Sequence, residues 1–149
     1  MVTIRPAAAA DASTLRAVAA LAYDKYLPRI GRAPAPVGAD YEAAVASGET
    51  YVAADEAGAI LAFIVLVPED GFLLLDNVAV LPPAQGRGIG TRLLDLADER
   101  ARELGLDEVR LYTHETMTEN QAYYPRRGYV LTHRAEQDGF RRLFFTKRL

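Results

Sequence analysis

Gly86, Gly88 and Gly90 punctuate the stretch from Gln85 to Thr91, directly after an apolar run and directly before a long amphipathic one. A turn of this kind between strand and helix aims backbone N–H groups and a helix N-terminus at one point, which suits a phosphate or another anion. The glycines let the backbone come close to a diphosphate. The N–H groups of Gln85, Gly86, Arg87, Gly88, Ile89, Gly90 and Thr91 would meet it, and the Arg87 guanidinium would add a charge-assisted contact. The plain alternative is a tight turn with no ligand. Just upstream, Asp76 and Asn77 interrupt an otherwise apolar run. A carboxylate there is either buried and satisfied by backbone donors or a base whose proton affinity is raised by burial. A β-bulge would accommodate the two adjacent polar residues. The only histidines, His114 and His133, form neither an HExxH pair nor a spaced cluster, so no metal site is expected. The absence of cysteine removes disulfides, thiolate ligands and a cysteine nucleophile.

The elements that must position these residues follow from periodicity and punctuation. Val2 to Arg5 predicts a strand ended by Pro6. Asp11 then caps a helix carrying Leu15, Val18, Ala19, Ala22, Tyr23 and Tyr26 up to Pro28. A Pro- and Gly-rich loop leads to a second helix over Asp40 to Ser47, closed by Gly48. Thr50 to Ala54 and Ala59 to Val67 flank DEAG as a hairpin, and after a turn at Pro68 to Gly71 the third strand of a meander runs from Phe72 to Leu81. That strand reads as buried on both faces. A helix from Gly88 to Leu104, with Gly105 as its C′ residue, separates it from a strand at Glu108 to Thr113, which makes a parallel βαβ unit. A short helix at Thr118 to Arg127 ends at Gly128, and Tyr129 to Arg134 with Phe140 to Lys147 form a hairpin about Asp138-Gly139. The fold class is α/β (α+β), a mixed, mostly antiparallel sheet of about seven strands with about four helices, in a single domain over residues 1–149.

Composition narrows the function. Half of the residues are hydrophobic and a quarter charged, ordinary for a globular chain able to bury one continuous core. The net charge of −3 offers no general attraction to nucleic acid, and Arg126, Arg127, Arg141 and Arg142 read as a solvated face. No long apolar run marks a signal peptide or membrane span, so the expectation is a cytoplasmic protein without a membrane partner. A dinucleotide fingerprint fails because Thr91 stands where its last glycine belongs, and a Walker loop fails for want of Gly-Lys-Ser or Gly-Lys-Thr.

Gln85-x-x-Gly88-x-Gly90, preceded by VAVLP and followed by Leu93-Leu94, together with the later ENQAYYPRRGY and the order of elements, resembles the GCN5-related N-acetyltransferase (GNAT) family over essentially the whole chain. The resemblance implies an acyl-coenzyme A N-acyltransferase fold with acetyl-coenzyme A as cofactor. Its pantetheine arm would meet backbone groups of Asn77, Val78, Ala79 and Val80, and its diphosphate the turn at 85–91. It also implies a general acid at Tyr124, four residues before Gly128, with Tyr123 in a position where the family usually has leucine. Asn120 would face the same way as Tyr124 on a helix and contact the cofactor. Longer members carry this residue nearly one turn earlier, at Met117 here, which makes a helix cap the alternative.

Transfer of acetyl to a primary amine by direct attack then needs a base, for which Asp76 is the candidate, directly or through water, and an acid for the leaving sulfur, Tyr124. By the same resemblance the first two helices and their loop cover the acceptor, a small-molecule or peptide amine, with Tyr23, Tyr26, Arg29, Arg32 and Tyr41 as its readers. The competing functions are transfer of a longer acyl group and a non-catalytic acetyl-coenzyme A sensor. An edge strand near the C-terminus leaves a homodimer open.

Overall fold

The computed structural model describes residues 1–47 and 49–149. The expected closure of a helix by Gly48 lies outside them. Seven strands form a mixed sheet: β1 (Thr3–Pro6), β2 (Thr50–Ala54), β3 (Ile60–Glu69), β4 (Phe72–Val80), β5 (Glu108–His114), β6 (Val130–Gln137) and β7 (Phe140–Arg148), in spatial order β1-β2-β3-β4-β5-β7-β6. The helices are α1 (Ala12–Tyr23), a single turn α2 (Leu27–Ile30), α3 (Tyr41–Ala46), α4 (Ile89–Glu103) and α5 (Thr118–Arg126). The chain divides into two compact units, one of residues 1–66 and 77–95 and the other of 67–76 and 96–149, so β3, β4 and α4 each contribute to both.

In the first unit, β2 pairs antiparallel with β1 and with β3. Leu15, Val18, Ala19 and Ala22 recur at helical spacing on α1 and are buried, with Val52, Phe63, Ile64, Leu66 and Leu93 completing the core. Each large aliphatic side chain so withdrawn from water contributes roughly 1.5–3 kcal/mol. Two local expectations are corrected. Asp11 holds the N-cap position of α1 but makes no capping bond: its carboxylate turns back to the Ala8 N–H at 2.7 Å and to Arg5 at 2.9 Å. Pro28 does not end a long helix. The chain tightens into a 3-10 turn at Asp24–Tyr26, and Pro28 lies in the first turn of α2, where its missing N–H has no intrahelical acceptor to lose. Gly31, at φ +86°, stops α2.

In the second unit, β5 pairs antiparallel with β7, β7 with β6, and β4 runs parallel to β5 in the register Leu73↔Val109 and Leu74↔Arg110. Leu73, Val109, Leu111, Leu143 and Phe145 are buried. The Asp138-Gly139 turn has both residues at positive φ, +54° and +79°, as a two-residue type I′ hairpin requires. The end of α4 is a Schellman closure: Gly105 sits at φ +74°, the Leu106 N–H donates to the Ala101 carbonyl and the Gly105 N–H to that of Arg102.

Burial along β4 alternates without a break, with Leu73, Leu75, Asn77 and Ala79 buried and Phe72, Leu74, Asp76, Val78 and Val80 half-buried. The strand is thus enclosed on one face only, a correction to the reading of both. Simple pleating sends Asp76 and Asn77 to opposite faces and separates the two polar groups. Register shifts occur between Ala53 and Ala54 of β2 and between Leu131 and His133 of β6.

Candidate active site

The turn that follows β4 is shaped by backbone conformation. Pro82–Ala84 forms a 3-10 turn, and Gly86 and Gly88 adopt φ of +82° and +79°, the left-handed region that a side chain disfavours. The Gly88 carbonyl accepts from Arg92 N–H at 3.1 Å as the first bond of α4, which leaves the N–H groups of Gly88, Ile89, Gly90 and Thr91 without intrahelical acceptors. A Cβ on Gly86 or Gly88 would meet nothing within 4 Å, so the glycines serve conformation and the space above them is open. Arg87 is exposed and makes no ion pair among the described residues. Donors, a helix N-terminus, open space and an unpaired guanidinium fit a diphosphate. Gln85 has a different task, donating from Nε2 to the Val80 carbonyl at 3.1 Å.

Along the adjoining end of β4 the Leu81 N–H donates to the Leu61 carbonyl of β3 at 2.8 Å. Backbone groups alternate along a strand, so Asn77 and Ala79 also direct theirs toward β3, while Val78 and Val80 direct theirs away. Of the four residues expected to meet a pantetheine arm through their backbone, these two present outward groups. Each of their carbonyls already accepts one side-chain donor, Tyr23 Oη at 2.9 Å on Val78 and Gln85 on Val80, with a second lone pair left.

Asn77 is buried and doubly held. Its Oδ1 lies 2.8 Å from the Tyr23 hydroxyl, and its Nδ2 donates to the Tyr41 hydroxyl at 2.8 Å. Tyr41 in turn donates to the Pro36 carbonyl, which fixes the amide orientation. Tyr41 is 1% exposed and packs edge-on against Phe63, and Tyr26 is also in the core, with the Arg29 guanidinium 5.2 Å over its ring. Among the five residues expected to read the acceptor, Tyr23 is half-buried and only Arg29 and Arg32 are exposed.

Asp76, on the opposite face of β4, belongs to the second unit. Extending the parallel register by two places sets it beside Tyr112, whose hydroxyl donates to Asp76 Oδ1 at 3.4 Å. Burial pushes the Asp76 carboxyl above the ordinary carboxylate value, opposed by the Tyr112 hydrogen bond and by the charge of Arg142. Burial foremost, then the charge of Asp76, raises Tyr112 as well. Arg142, expected on a solvated face, is 7% exposed, with its guanidinium 4.3 Å over the Tyr112 ring. Sequence reasoning missed Tyr112 and Arg142. The signal was present in the alternation of EVRLYTH, which sets Tyr112 opposite the buried Val109, Leu111 and Thr113, but linking it to Asp76 required the strand register.

Tyr124, on α5, is 7% exposed within an aromatic cluster of Tyr123, Tyr129 and Phe145, at centroid distances of 5.5, 5.7 and 6.0 Å. Gly128, at φ +94°, ends that segment. Asn120 is not the N-cap of α5, a position held by Met117; its Nδ2 donates to Thr113 Oγ1 at 3.0 Å and ties α5 to the end of β5. His114 is held by Thr116 through Nδ1, and His133 stacks on Phe144 at 4.4 Å. No group of three or more His, Cys, Asp or Glu side chains that could hold a metal occurs among the described residues. No helix among them is long and apolar enough to cross a membrane.

The model of the acetyltransferase (GNAT) family matches residues 15–129. The chain belongs to this family. The aminoalkylphosphonate N-acetyltransferase of Salmonella typhimurium is 36% identical over 59 residues, 40% of this chain, and the matched stretch spans only 38% of that protein. Among solved GNAT structures, the PaiA N-acetyltransferase of Thermoplasma acidophilum in complex with coenzyme A is similar at a TM-score of 0.82 and 19% identity, over 100% of this chain and 99% of that one. A GNAT acetyltransferase from Elizabethkingia anophelis with acetyl-coenzyme A bound is similar at 0.71 and 22%, over 99% and 98%. At these identities the likeness shows the GNAT fold.

Proposed function

We propose that the chain transfers an acetyl group from acetyl-coenzyme A to a primary amine within one ternary complex. The observation that carries this reading is the turn at 85–91, where two left-handed glycines under open space adjoin a helix N-terminus in a member of an acetyltransferase family. Acetyl-coenzyme A, when bound, supplies a thioester open to attack by an amine. The N–H groups of Gly88, Ile89, Gly90 and Thr91, with Arg87, hold its diphosphate, and the outward backbone groups of Val78 and Val80 hold its pantetheine arm.

An alkyl amine with a pKa near 10.4 is protonated at pH 7, and releasing its free base costs about 4.6 kcal/mol. Asp76 takes that proton, and the burial that raises its proton affinity makes it a better base than a solvated aspartate. Tyr124 returns a proton to the departing sulfur: a phenol near pKa 10 keeps its proton at neutral pH, and a thiol ionises near about 8.5. No acyl-enzyme is needed. The exposed Arg29 and Arg32 beside the first helices, together with the aminoalkylphosphonate named for the Salmonella relative, support an amine that also carries an anionic group.

Thiol release from acetyl-coenzyme A, followed with 2-aminoethylphosphonate and a panel of other amines, tests the reading. Turnover with at least one amine is expected. Binding without turnover across the panel would identify a sensor instead, and no heat on titrating acetyl-coenzyme A would remove the cofactor altogether. Tyr124→Phe is expected to lower kcat tenfold or more when chemistry limits the rate, and wild-type turnover would remove its acid role.

A further inference from the structure

We propose that Tyr112 and Arg142 are positioning residues for Asp76. Arg142, lying against the Tyr112 ring, keeps the Tyr112 hydroxyl on one oxygen of the carboxylate and leaves the other oxygen to take the substrate proton. This rests on the acetyl-transfer reading above.

The strand register builds the arrangement. Asp76 and Tyr112 are neighbours across β4 and β5, and Tyr112 pairs with Phe144 while His114 pairs with Arg142, so Arg142 lies diagonally from Tyr112 on the same face. Arg142 is held at its guanidinium. Its Nη1 donates to Gln137 Oε1 at 2.6 Å, and its guanidinium sits 4.3 Å from the Tyr112 centroid and 5.3 Å from that of Phe140. Its ion-pair partner is Asp138, at 3.8 Å and with a side chain that is 81% exposed. A buried guanidinium is costly to keep, and so loose and solvated a pair recovers little of that cost, so stability alone is a poor reason for the placement. A role at the carboxylate supplies a better one. Asp76 Oδ1 is engaged by Tyr112, whereas Oδ2 has no hydrogen-bond partner among the described residues.

Among the described residues Tyr112 on β5 and Arg142 on β7 act on this carboxylate; His114, on the same face of β5, pairs across the sheet with Arg142, and Asp138 in the β6–β7 turn lies 3.8 Å from Arg142. Arg110 lies two places earlier on β5, over the Phe72 ring at 4.0 Å. His114 Nδ1 is committed to Thr116, and Arg110 to Glu108 at 2.9 Å. Arg142 is thus the cation placed to act on Asp76, and Tyr112 the group through which it is aimed. The opposing influences on Asp76, upward from burial and downward from Tyr112 and Arg142, agree with this.

The test is a carboxyl-carbon NMR titration of Asp76 in the full chain, for wild type, Tyr112→Phe, Arg142→Met and Arg142→Lys, beside the pH profile of kcat/KM with acetyl-coenzyme A and 2-aminoethylphosphonate. The Asp76 midpoint is expected to rise by roughly half a unit or more in Tyr112→Phe and Arg142→Met, with the acidic limb of the profile following. Arg142→Lys keeps the charge without the flat stack and is expected between wild type and Arg142→Met. An unmoved midpoint, or a moved midpoint with an unmoved acidic limb, overturns the proposal. If Arg142→Met does not fold, Tyr112→Phe decides by the same criteria. Moved midpoints with no thiol release for any amine would leave the arrangement standing and remove the transferase reading. Thiol release with unmoved midpoints would do the reverse.

Discussion

The glycine turn at 85–91 and the carboxylate of Asp76 are near neighbours in the chain and are built by opposite means. The turn is backbone chemistry: two positive φ angles, a helix start and open space, all set by residues in immediate succession. The carboxylate is side-chain chemistry. Its surroundings come from β5 and β7 and exist only once the strands are in register. An anion cradle of this shape can therefore be written in one short stretch, while the surroundings of a half-buried carboxylate have to be assembled.

The sharpest way to break the comparison is Asp76→Asn. The base reading expects kcat/KM to fall on the order of 10²–10⁴-fold. Stability should move the other way. Burial raises the proton affinity of Asp76 in the folded chain above its unfolded value, so the folded state favours the neutral form. Stability from this group is complete below the unfolded carboxylate pKa and is lost as pH rises through the folded one. At pH 7 the charged carboxylate is thus a net cost, and the neutral amide should leave Tm equal or higher. A lower Tm would mean that Asp76 is structural.

A smaller effect is expected at the turn. Gly88→Ala meets no protein atom, so its penalty is the left-handed φ, about 1–2 kcal/mol, together with the closer approach a Cβ would deny the diphosphate, and coenzyme A binding by calorimetry should weaken roughly fivefold or more. Arg87→Ala, a side-chain change in the same turn, should weaken binding only a few-fold, by an amount that shrinks as salt rises. If Arg87 mattered more than Gly88, the turn would not be chiefly a backbone site.

The smallest effect lies away from both regions. Arg5, through its side-chain hydrogen bond, and then the Ala8 N–H hold the Asp11 carboxyl below the usual carboxylate value. That stabilisation is present above the unfolded pKa and is lost as pH falls through the folded one. The pair is part-exposed, so Asp11→Asn should cost less than about 1 kcal/mol, seen as a small drop in Tm at pH 7 that vanishes in strong acid.

What could be read before folding follows the same division. Asp138-Gly139, Gly105, Gly86 and Gly88 stand at positive φ and act within a few residues, so the elements they bound were legible. Pro28 misled because a proline ends one helix and starts another equally well, and only tertiary context chooses. Asp11 misled because Arg5 competes for the carboxylate that would have capped α1. Arg142 looked like surface charge because nothing near it in sequence shows that Tyr112 waits across the sheet. Tyr41 read as a residue facing the acceptor, although its ring lies in the core and its hydroxyl accepts from the Asn77 amide.

That last contact couples three distant positions. Asn77 donates from Nδ2 to the Tyr41 hydroxyl on one side and on the other sets Oδ1 beside the Tyr23 hydroxyl, whose one proton is shared between that oxygen and the Val78 carbonyl, and among side chains of its size only a primary amide offers a donor and an acceptor. Aspartate would set an acceptor against the Tyr41 oxygen, whose proton is already given to Pro36, and leucine would remove both contacts to the amide. Positions 23, 41 and 77 therefore form one hydrogen-bonded unit, although α1, α3 and β4 lie far apart along the chain.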